Sequence, residues 1–551
     1  MANTDSVNPN RPSIDPTTGF CAATKTFHSI RPTIPLPPLS RPLSSASYSL
    51  SLLSSSPLPS SPAFVNSTSG QTLSYDDFIL RTQSLSSVLK PLLSRGQTAL
   101  ILAPPSLHIP VLYFSLISIG VVVSPCNPAS TPPEISCQIH LSRPVIAFAT
   151  SASAPKLPPS LPTILLDSPL FLFLIAPRGA SGAVNSTSDG LSQSDAAAIL
   201  YSSGTTGKIK GVVLTHRNII SLVTGIYAGR QERAAPAVLL VTAPLFHVIG
   251  FFYCFKAVAM GETMVIKERF EMGKMVRAVE EFKVTHMSTA PPVLVAMTKV
   301  GAVDPYRLRS LEWLFSGGAP LSKELIQRFK ARFPAIQLGQ GYGMTESTGP
   351  VFRTNSPEET RRYGSVGRLS AYTEAKIMDP VTGIALPPCK QGELWVRSPT
   401  VTRGYVGNEA ATAAALDPEG WLKTGDLCYI DNDGFLFVVD RLKDLIKYKA
   451  YQVPPAELEH LLQSHPDIAE VAVIPYPDEE AGQVPMAFVV RKPQSTLDDK
   501  QVMDFVAKQV APYKKIRRVS FIDSIPKTAA GKILRKDLVK LATSVSAASK
   551  L

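Results

Sequence analysis

The sequence predicts an α/β protein with a large domain of mostly parallel, helix-covered sheets, a β subdomain, and a small α+β domain at its C-terminal end. Three observations predict this fold. The chain has 551 residues, of which 44% are apolar and 18% charged, enough for more than one substantial core. Short apolar runs alternate with helical patterns between Thr72 and Gly339, which is typical of a parallel sheet covered by helices. A basic module with its own helices and strands follows Asp440.

Residues 1–70 are rich in serine and proline and predict a meandering arm with one helix near 44–53. The large domain is expected to occupy 71–440. Its predicted elements are a polar helix at Tyr75–Leu93, a strand at Thr98–Leu102, a helix at Ile109–Ile119, a strand at Val121–Ser124, a helix at Asn218–Tyr227 and a strand at Val238–Ala243. The Ser/Pro/Gly-rich stretch 151–190 is expected to form surface loops around one apolar strand.

Glycine-rich turns and short β segments indicate the β subdomain. They lie at Gly392–Arg397, Gly404–Val406, Asp431–Gly434 and Phe435–Val439. The small domain is expected at 441–551, a normal domain size. Its predicted elements are a helix at Pro455–Ser464, strands at Ile468–Pro475 and Met486–Arg491, and a helix at Leu497–Gln509.

Composition excludes several classes of protein. The net charge is +12, but lysines and arginines are interleaved with acids, so no nucleic-acid-binding arm is expected. Such a surface suits small anionic substrates such as nucleotides. The six cysteines lie far apart without a CxxC pair, which favours reduced thiols over disulfides or a zinc site. The apolar run Val111–Val123 is too short to cross a bilayer, so we expect no membrane span.

The two ends of the sequence carry a further expectation. The first residues lack the hydrophobic segment of a secretory signal. Ser549-Lys550-Leu551 match the peroxisomal import tripeptide, which predicts a peroxisomal location and the import receptor as a partner. The alternative is a chance match on a tail of small residues.

The segment Tyr201–Gly211 combines glycines, hydroxyl side chains and lysines ahead of an apolar run. Glycines allow close backbone approach, and hydroxyl and ammonium groups donate to phosphate oxygens. Polyphosphate binding is therefore the first functional hypothesis, and a Gly/Ser/Thr-rich surface loop is the alternative. A P-loop is excluded, because Gly204 and Gly207 are only three positions apart and Ile209 follows Lys208 where a hydroxyl residue is needed.

Three later motifs extend this hypothesis. In Gly339–Ser347, alternating glycines allow the backbone to lie against a flat ring, Tyr342 can stack on it, and the Glu346 carboxylate suits Mg²⁺. In Trp421–Asp426, the final carboxylate can accept hydrogen bonds from two vicinal ribose hydroxyls, with Arg441 beside it. In Ile525–Arg535, Lys532 follows a glycine on a loop of small residues, so its ammonium can reach an active site at a domain interface.

With these four motifs in this order, the sequence resembles the AMP-forming acyl- and aryl-CoA synthetases of the adenylate-forming superfamily. It is most similar to plant 4-coumarate–CoA ligases and 4-coumarate–CoA ligase-like enzymes. The resemblance covers about Thr72 to Leu538. It implies the adenylate-forming enzyme fold with a mobile small domain, and ATP, Mg²⁺, CoA and a small carboxylic acid as cofactors and substrates.

The resemblance also implies roles for individual residues. Those expected to bind ATP are Ser202, Ser203, Gly204, Thr205, Thr206, Gly207, Lys210, Gln340, Gly341, Tyr342, Thr345, Asp426, Arg441 and Lys532. Those expected to act in catalysis are Lys532, His247 and the hinge residue Lys443. The acid is expected to contact Ile249, Tyr253, Gly318, Gly341, Thr345 and Lys447. CoA is expected to contact Lys267, Lys449 and Ala450, and the metal Glu346.

Three positions depart from the pattern of these enzymes. Ile209 replaces the usual proline of the phosphate loop, and Ala450 replaces the usual glycine near the pantetheine path. Ile249 stands where 4-coumarate enzymes usually place a tyrosine that contacts the phenol. Because a hydroxyl partner is lost, we expect apolar acids such as medium- or long-chain fatty acids, jasmonate-precursor acids or cinnamates, rather than strict 4-coumarate specificity.

The expected reaction has two steps, formation of an acyl-adenylate with release of pyrophosphate and then transfer of the acyl group to CoA. Two other readings stay open at this point. A luciferase-like oxidoreductase makes the same adenylate and then oxidises it. A non-catalytic nucleotide sensor uses the same fold, although the joint presence of Thr345, Glu346, Asp426, Arg441 and Lys532 argues against it.

Overall fold

The computed structural model describes residues 13–53, 58–177, 190–202, 209–268, 270–299, 301–319, 321, 323–448, 451–478, 480–528 and 531–548. Within these ranges the strands form four sheets. Two are mostly parallel, one is antiparallel, and one belongs to the C-terminal part of the chain. This arrangement confirms the predicted α/β fold.

The first mostly parallel sheet has seven strands. In spatial order they are Gly404–Tyr405, Lys210–Thr215, Ala196–Ser202, Val122–Pro125, Thr98–Leu102, Ile146–Ala149 and Thr163–Leu165. The second has nine strands. They are Arg368–Leu369, Gly349–Arg353, Gln337–Met344, Trp313–Ser316, His286–Thr289, Val238–Val241, Thr263–Ile266, Phe64–Asn66 and Thr72–Leu73. In both sheets the antiparallel pairs lie at the edges.

Helices cover these sheets, and the largest apolar core lies between the two sheets. It includes residues of both sheets and of the helices between them, where the rings of Phe114 and Phe255 stack with centroids 4.8 Å apart. The helices of this part of the chain are Ser45–Leu52, Tyr75–Leu89, His108–Ser118, Pro132–Ser142, Pro169–Ile175, His216–Ala228, Val248–Met260, Met272–Glu281, Pro291–Thr298, Lys323–Arg332, Pro357–Thr360 and Glu409–Ala415. Short 3₁₀ turns occupy Ala154–Lys156, Pro305–Leu308 and Thr345–Ser347.

The antiparallel sheet corresponds to the predicted β subdomain, with one correction. Gly404–Tyr405, predicted among its segments, pairs instead with Lys210–Thr215 at the edge of the seven-stranded sheet. The strands of the antiparallel sheet, in spatial order, are Phe20–Cys21, Thr26–His28, Glu374–Met378, Gly392–Arg397, Leu422–Ile430 and Leu436–Arg441. The strands alternate buried and half-buried residues, as expected for a sheet with one face on a core.

The C-terminal sheet has the strands Tyr451–Val453, Ile446–Tyr448, Gly482–Arg491 and Ile468–Asp478 in that order, and Arg518–Phe521 pairs with Gly482–Arg491. The helices Pro455–Gln463, Asp499–Ala507 and Arg535–Ala548 and the 3₁₀ turn Pro512–Lys514 accompany it. Separate apolar clusters contain the first two helices and the last helix.

Two local predictions differ from the structure. The predicted arm does not lie apart from the large domain, because Phe27 pairs with Ala375 in the antiparallel sheet and is fully buried. In the stretch 151–190 the strand is Thr163–Leu165, but the following apolar run is a helix, Pro169–Ile175. Ser168 accepts a hydrogen bond from the Phe171 amide, so a serine cap and a proline at the first helical position begin this helix.

A buried ion pair joins two helices and a strand of the small domain. The Arg535 guanidinium donates to both carboxylate oxygens of Glu459 at 2.7 and 2.8 Å, and the Val473 amide donates to the same carboxylate at 2.8 Å. The two side chains are only 18% and 13% exposed. Burial raises the pKa of Glu459, whereas the charge of Arg535 acts in the opposite direction.

Replacing Arg535→Met is expected to destabilise the small domain by about 3–5 kcal/mol, because the Glu459 carboxylate would remain buried without its cation. Amide hydrogen exchange along Ile468–Asp478 in the full chain measures this loss. The double variant Arg535→Met/Glu459→Gln removes the stranded charge and should recover much of the protection. Equal protection in wild type and Arg535→Met would contradict the prediction.

Candidate active site

Asp426 is the buried carboxylate of the candidate nucleotide site. It lies on Leu422–Ile430, directly opposite Arg441 on the neighbouring strand, and the Arg441 Nε lies 3.5 Å from the Asp426 Oδ1. The Tyr342 hydroxyl donates to the other oxygen at 2.6 Å. Burial raises the pKa of Asp426, with Arg441 opposing this shift. The structure therefore places three of the predicted ATP-binding residues in one cluster.

Lys532 belongs to the small domain, and its charge acts on the Asp426 carboxylate of this cluster. The Thr528 amide donates to the Lys532 carbonyl, and a Cβ on Gly531 would lie 2.8 Å from Pro292 of the large domain. Burial, together with the nearby cations Arg441 and Lys443, lowers the pKa of Lys532 to about 8, although the charge of Asp426 acts in the opposite direction. Lys532 therefore shares an electrostatic environment with the predicted ribose site, as the family resemblance implies.

Glu346 lies in a pocket of hydroxyl groups. Its Oε1 accepts hydrogen bonds from the Ser202 hydroxyl at 3.1 Å and the Tyr405 hydroxyl at 3.0 Å. The Lys210 ammonium lies 4.5 Å from the centre of the Tyr405 ring. Among the described residues, no donor contacts the other carboxylate oxygen of Glu346. This oxygen lies close to Ser202, at the start of the predicted phosphate loop, and is the type of ligand that a divalent cation prefers.

The glycine-rich motif is shaped by packing inside the protein at two of its positions. A Cβ at Gly339 would lie 2.7 Å from the Phe315 ring, and one at Gly343 would lie 2.1 Å from the Gly349 carbonyl. The Gln340 side chain donates to the Ser365 carbonyl at 2.9 Å, so its amide supports the loop. At Gly339 and Gly343 the structure therefore explains the glycine by contacts within the protein. That the glycines let the backbone lie against a flat ring stays a prediction.

His247 and Ile249 begin the long helix Val248–Met260. The His247 ring nitrogen Nδ1 accepts from the Ile249 amide at 3.3 Å and caps this helix, and burial lowers the pKa of His247. Ile249 and Tyr253 pack against an apolar cluster of Leu222, Ile226 and Phe252. Two of the predicted acid-binding residues, Ile249 and Tyr253, therefore lie against an apolar wall built by two helices.

The remaining predicted positions are more scattered. Gly318 is exposed with φ +87°, a conformation that favours glycine. The Lys447 amide donates to Gln483 Oε1 at 2.8 Å on the exposed face of the small domain. The Lys267 ammonium donates to the Glu271 carbonyl at 2.9 Å and lies over the Phe270 ring, and burial lowers the pKa of Lys267 to about 8.

Three further predicted residues are close in sequence to members of the Asp426 cluster or to Glu346: Gly341, Thr345 and Lys443. Thr345 begins the 3₁₀ turn that carries Glu346, and Gly341 pairs with Arg353 across the strand pair. Lys443 is exposed, and partial desolvation, with the nearby charge of Arg441, lowers its pKa. Some predicted positions lie outside the described residues: Ser203, Gly204, Thr205, Thr206, Gly207, Lys449, Ala450 and Ser549–Leu551.

Sequence reasoning missed two polar residues of the site. Tyr405 donates to Glu346, although Gly404–Val406 was predicted only as a β segment. Arg353 lies opposite Gly341 and contributes charge near Tyr253, although no motif contains it. An aromatic residue after the Gly404 turn was the only sequence signal for Tyr405, and Arg353 had no signal besides its place shortly after the glycine-rich motif.

Two comparisons with known families and proteins agree with this geometry. The AMP-binding enzyme profile matches residues 55–406, and the AMP-binding enzyme C-terminal domain profile matches 457–532. 4-coumarate–CoA ligase-like 9 of Arabidopsis thaliana is 52% identical over 550 residues, which cover 97% of this chain and 98% of that protein. Peroxisomal OPC-8:0-CoA ligase 1 of Arabidopsis thaliana is 44% identical and covers 97% and 99% of the two chains.

A solved structure adds a similarity in three dimensions. The structure of o-succinylbenzoate coenzyme A synthetase from Bacillus subtilis in complex with ATP and a magnesium ion has a TM-score of 0.75 to this chain. It shares 26% sequence identity, and the match covers 90% of this chain and 99% of the other. In the parts of the chain that the structure describes, no helix has the length and apolarity to cross a membrane, and no group of three His, Cys, Asp or Glu side chains is placed to hold a metal.

The pH dependence of the first half-reaction should report the protonation of Lys532. Its pKa is lowered to about 8, so the ammonium form is lost as the pH rises through that value in the free enzyme. We expect kcat/KM for ATP to fall above about pH 8, approaching tenfold per pH unit. Bound phosphates favour the ammonium form, so the same limb in kcat should lie at higher pH.

Acid-dependent ATP–pyrophosphate exchange measures this half-reaction without the ionisation of the CoA thiol. Lys532→Arg supplies a cation that stays protonated at these pH values, so it should abolish the limb while lowering the maximal rate. A limb near pH 8 that persists in Lys532→Arg would assign the titration to another group.

Proposed function

Because this chain belongs to the AMP-binding enzyme family, we propose that it is an AMP-forming carboxylate–CoA ligase for an apolar carboxylic acid. ATP, Mg²⁺ and CoA are the cofactors and co-substrates of this reaction. The observation that carries the proposal is the buried pair of Asp426 and Arg441 on the antiparallel sheet, 3.5 Å apart, whose charges act on Lys532 of the small domain.

In the first step the substrate carboxylate attacks the α-phosphate of ATP, a P–O bond to pyrophosphate breaks, and an acyl-adenylate forms. Asp426 would accept hydrogen bonds from the ribose hydroxyls, with Tyr342 and Arg441 fixing its orientation. The Lys532 ammonium would stabilise the negative charge that develops between the carboxylate and the α-phosphate. In this proposal Asp426 binds the ribose, and Lys532 stabilises the reacting phosphate.

Glu346 would hold the magnesium ion through its second carboxylate oxygen, while Ser202 and Tyr405 fix the first. When bound, the cation neutralises phosphate charge and favours departure of pyrophosphate. Lys210, seated over the Tyr405 ring, would add a positive charge at the edge of the same pocket.

In the second step the thiol sulfur of CoA forms a bond to the acyl carbonyl carbon, the thiol proton leaves, and AMP departs. Lys532 has no role in this step, so we propose that the small domain rotates about Lys443 between the two steps. His247 would support thioester formation beside the acid, and Lys267, Lys449 and Ala450 would contact CoA.

Ile249, with the apolar wall behind it, supports an apolar acid rather than a phenolic one. The candidates are medium- or long-chain fatty acids, jasmonate-precursor acids and cinnamates. Two relatives, a 4-coumarate–CoA ligase-like protein and an OPC-8:0-CoA ligase, are consistent with this range. A luciferase-like oxidation of the adenylate would instead consume O₂ and emit light, and a nucleotide sensor would show no acid-dependent exchange.

Lys532→Ala is expected to lower acid-dependent ATP–pyrophosphate exchange by at least about 100-fold, the cost of removing a preorganised charge from a transition state. Thioester formation from a supplied acyl-adenylate should stay within a few-fold of wild type, since Lys532 serves only the first step. Lys527→Ala is the matched control, because that lysine pairs with Glu470 on the small domain at 2.8 Å. Equal loss in both half-reactions would contradict the rotation.

We also propose a peroxisomal location, supported by the tripeptide Ser549–Leu551 and by the similarity to a peroxisomal OPC-8:0-CoA ligase that is 44% identical. A fluorescent protein fused ahead of Met1 should give puncta that coincide with a peroxisomal marker in plant cells. Deletion of the tripeptide should give diffuse fluorescence. Puncta that survive the deletion would show that another segment carries the address.

A further inference from the structure

Arg353 is a guanidinium inside the large domain without an acidic partner. It ends the strand Gly349–Arg353 and is half-buried. Within the described residues, no carboxylate lies at ion-pair distance from it. Burial lowers the pKa of Arg353 to about 10, and the charge of Arg31 acts in the same direction.

The nearest acid is already committed to another cation. Both oxygens of Glu359 accept hydrogen bonds from the Arg31 guanidinium at 2.6 and 2.7 Å, and one also accepts from the Asn355 amide at 2.7 Å. Arg31 also donates to the Arg353 carbonyl at 2.9 Å. Glu359 therefore has little capacity left for Arg353, and a poorly compensated buried charge is costly unless a ligand completes it.

The Arg353 side chain lies beside the helix His216–Ala228, which contributes to the apolar cluster under Ile249 and Tyr253. It lines a cleft with Ser221, Leu222 and Ile226 of the helix His216–Ala228 and with Pro350. Leu222 and Ile226 also form the apolar cluster against which Ile249 and Tyr253 pack. The charge of Arg353 acts on the Tyr253 hydroxyl, so the two polar groups are neighbours.

The guanidinium also lies at the end of a helix. A Cβ on Gly229, which follows His216–Ala228, would be 3.9 Å from an Arg353 Nη. The carboxyl end of a helix carries partial negative charge and tolerates a cation without neutralising it fully. The helix end can therefore hold the guanidinium in place while leaving its donors for a ligand.

The position of Arg353 sets its distance from the reacting group. Arg353 pairs with Gly341, and Thr345 follows that glycine by four positions, on the order of 10 Å along an extended chain. An acid whose carboxylate lies at the adenylation site could thus extend along the apolar wall toward Arg353.

From this geometry we propose that Arg353 determines specificity by binding an acceptor oxygen, a second carboxylate or a ketone, at the far end of the acid substrate. The inference rests on the proposed ligase function, since it names the class of acid that this site takes. The preferred substrate is an apolar chain with an oxygen acceptor remote from the reacting carboxylate, rather than a simple fatty acid.

The test compares acids of equal length, about six to sixteen carbons, that end in a methyl group, carry a ketone, or end in a second carboxylate. The variants are Arg353→Met, Arg353→Lys and the control Arg368→Met. Arg368 lies directly opposite Arg353 on the next strand, but its guanidinium lies 4.6 Å from the Phe435 ring centre.

Arg353→Met should lower kcat/KM for the ketone- or carboxylate-bearing acids by about 10- to 100-fold, mainly through KM, as expected when a charged donor is lost. Methyl-ended acids should be unaffected or improved. Arg353→Lys should restore part of the preference, and Arg368→Met should keep the wild-type ratio. The ketone and carboxylate series show which oxygen the site selects. An equal change for all three series in Arg353→Met would overturn the inference.

Calorimetric binding of the same acids to the full-length chain separates this inference from the proposed function. If no acid yields acyl-CoA in the wild-type protein, the proposed ligase function fails. Binding that favours the oxygen-bearing acids and is lost in Arg353→Met would still support the role of Arg353. Binding that does not differ between wild type and Arg353→Met would overturn it, whatever the turnover.

Discussion

The buried carboxylate of Asp426 is the constraint around which the candidate site is organised. A charge removed from water needs compensation, and Tyr342 and Arg441 supply it from two different strands. Compensation by residues on several elements fixes their relative positions. The cluster thereby aligns the glycine-rich motif with the antiparallel sheet, and the charges of its Asp426 and Arg441 act in opposite directions on Lys532.

The strand Leu436–Arg441, which carries Arg441, also contacts the small domain. Leu436–Arg441 carries Arg441 toward Asp426, and the preceding Asp440 accepts the Ala456 amide at 2.8 Å near the start of the first small-domain helix. Burial raises the pKa of Asp440, while its hydrogen bond to the Ala456 amide opposes the shift. Neighbouring residues of one strand thus contact the candidate nucleotide site through Arg441 and the first small-domain helix through Asp440.

Much of the site could be predicted because its chemistry is local. A lysine that must reach another domain is expected on a loop of small residues, as Lys532 is. Asp426 and Arg441 can meet because they lie on adjacent strands, and both features leave short motifs in the sequence. The structure brings these residues together as the motifs imply. The glycines of Gly339–Ser347 were harder to interpret. Phe315 leaves no room for a side chain at Gly339, and the Gly349 carbonyl leaves none at Gly343, and these contacts cannot be seen in the local sequence.

The sequence by itself determined the α/β class, the order of the motifs and the residue types available for nucleotide chemistry, because periodicity and short motifs depend on neighbours along the chain. Only the tertiary structure decided that Phe27 joins the antiparallel sheet, that Tyr405 contacts Glu346, and that Arg353 lies beside Leu222 and Ile226 without a carboxylate partner among the described residues. Those facts depend on contacts between residues far apart in the chain. Whether a charged side chain is solvated, paired or available to a ligand depends on its burial, which residue identity alone does not give.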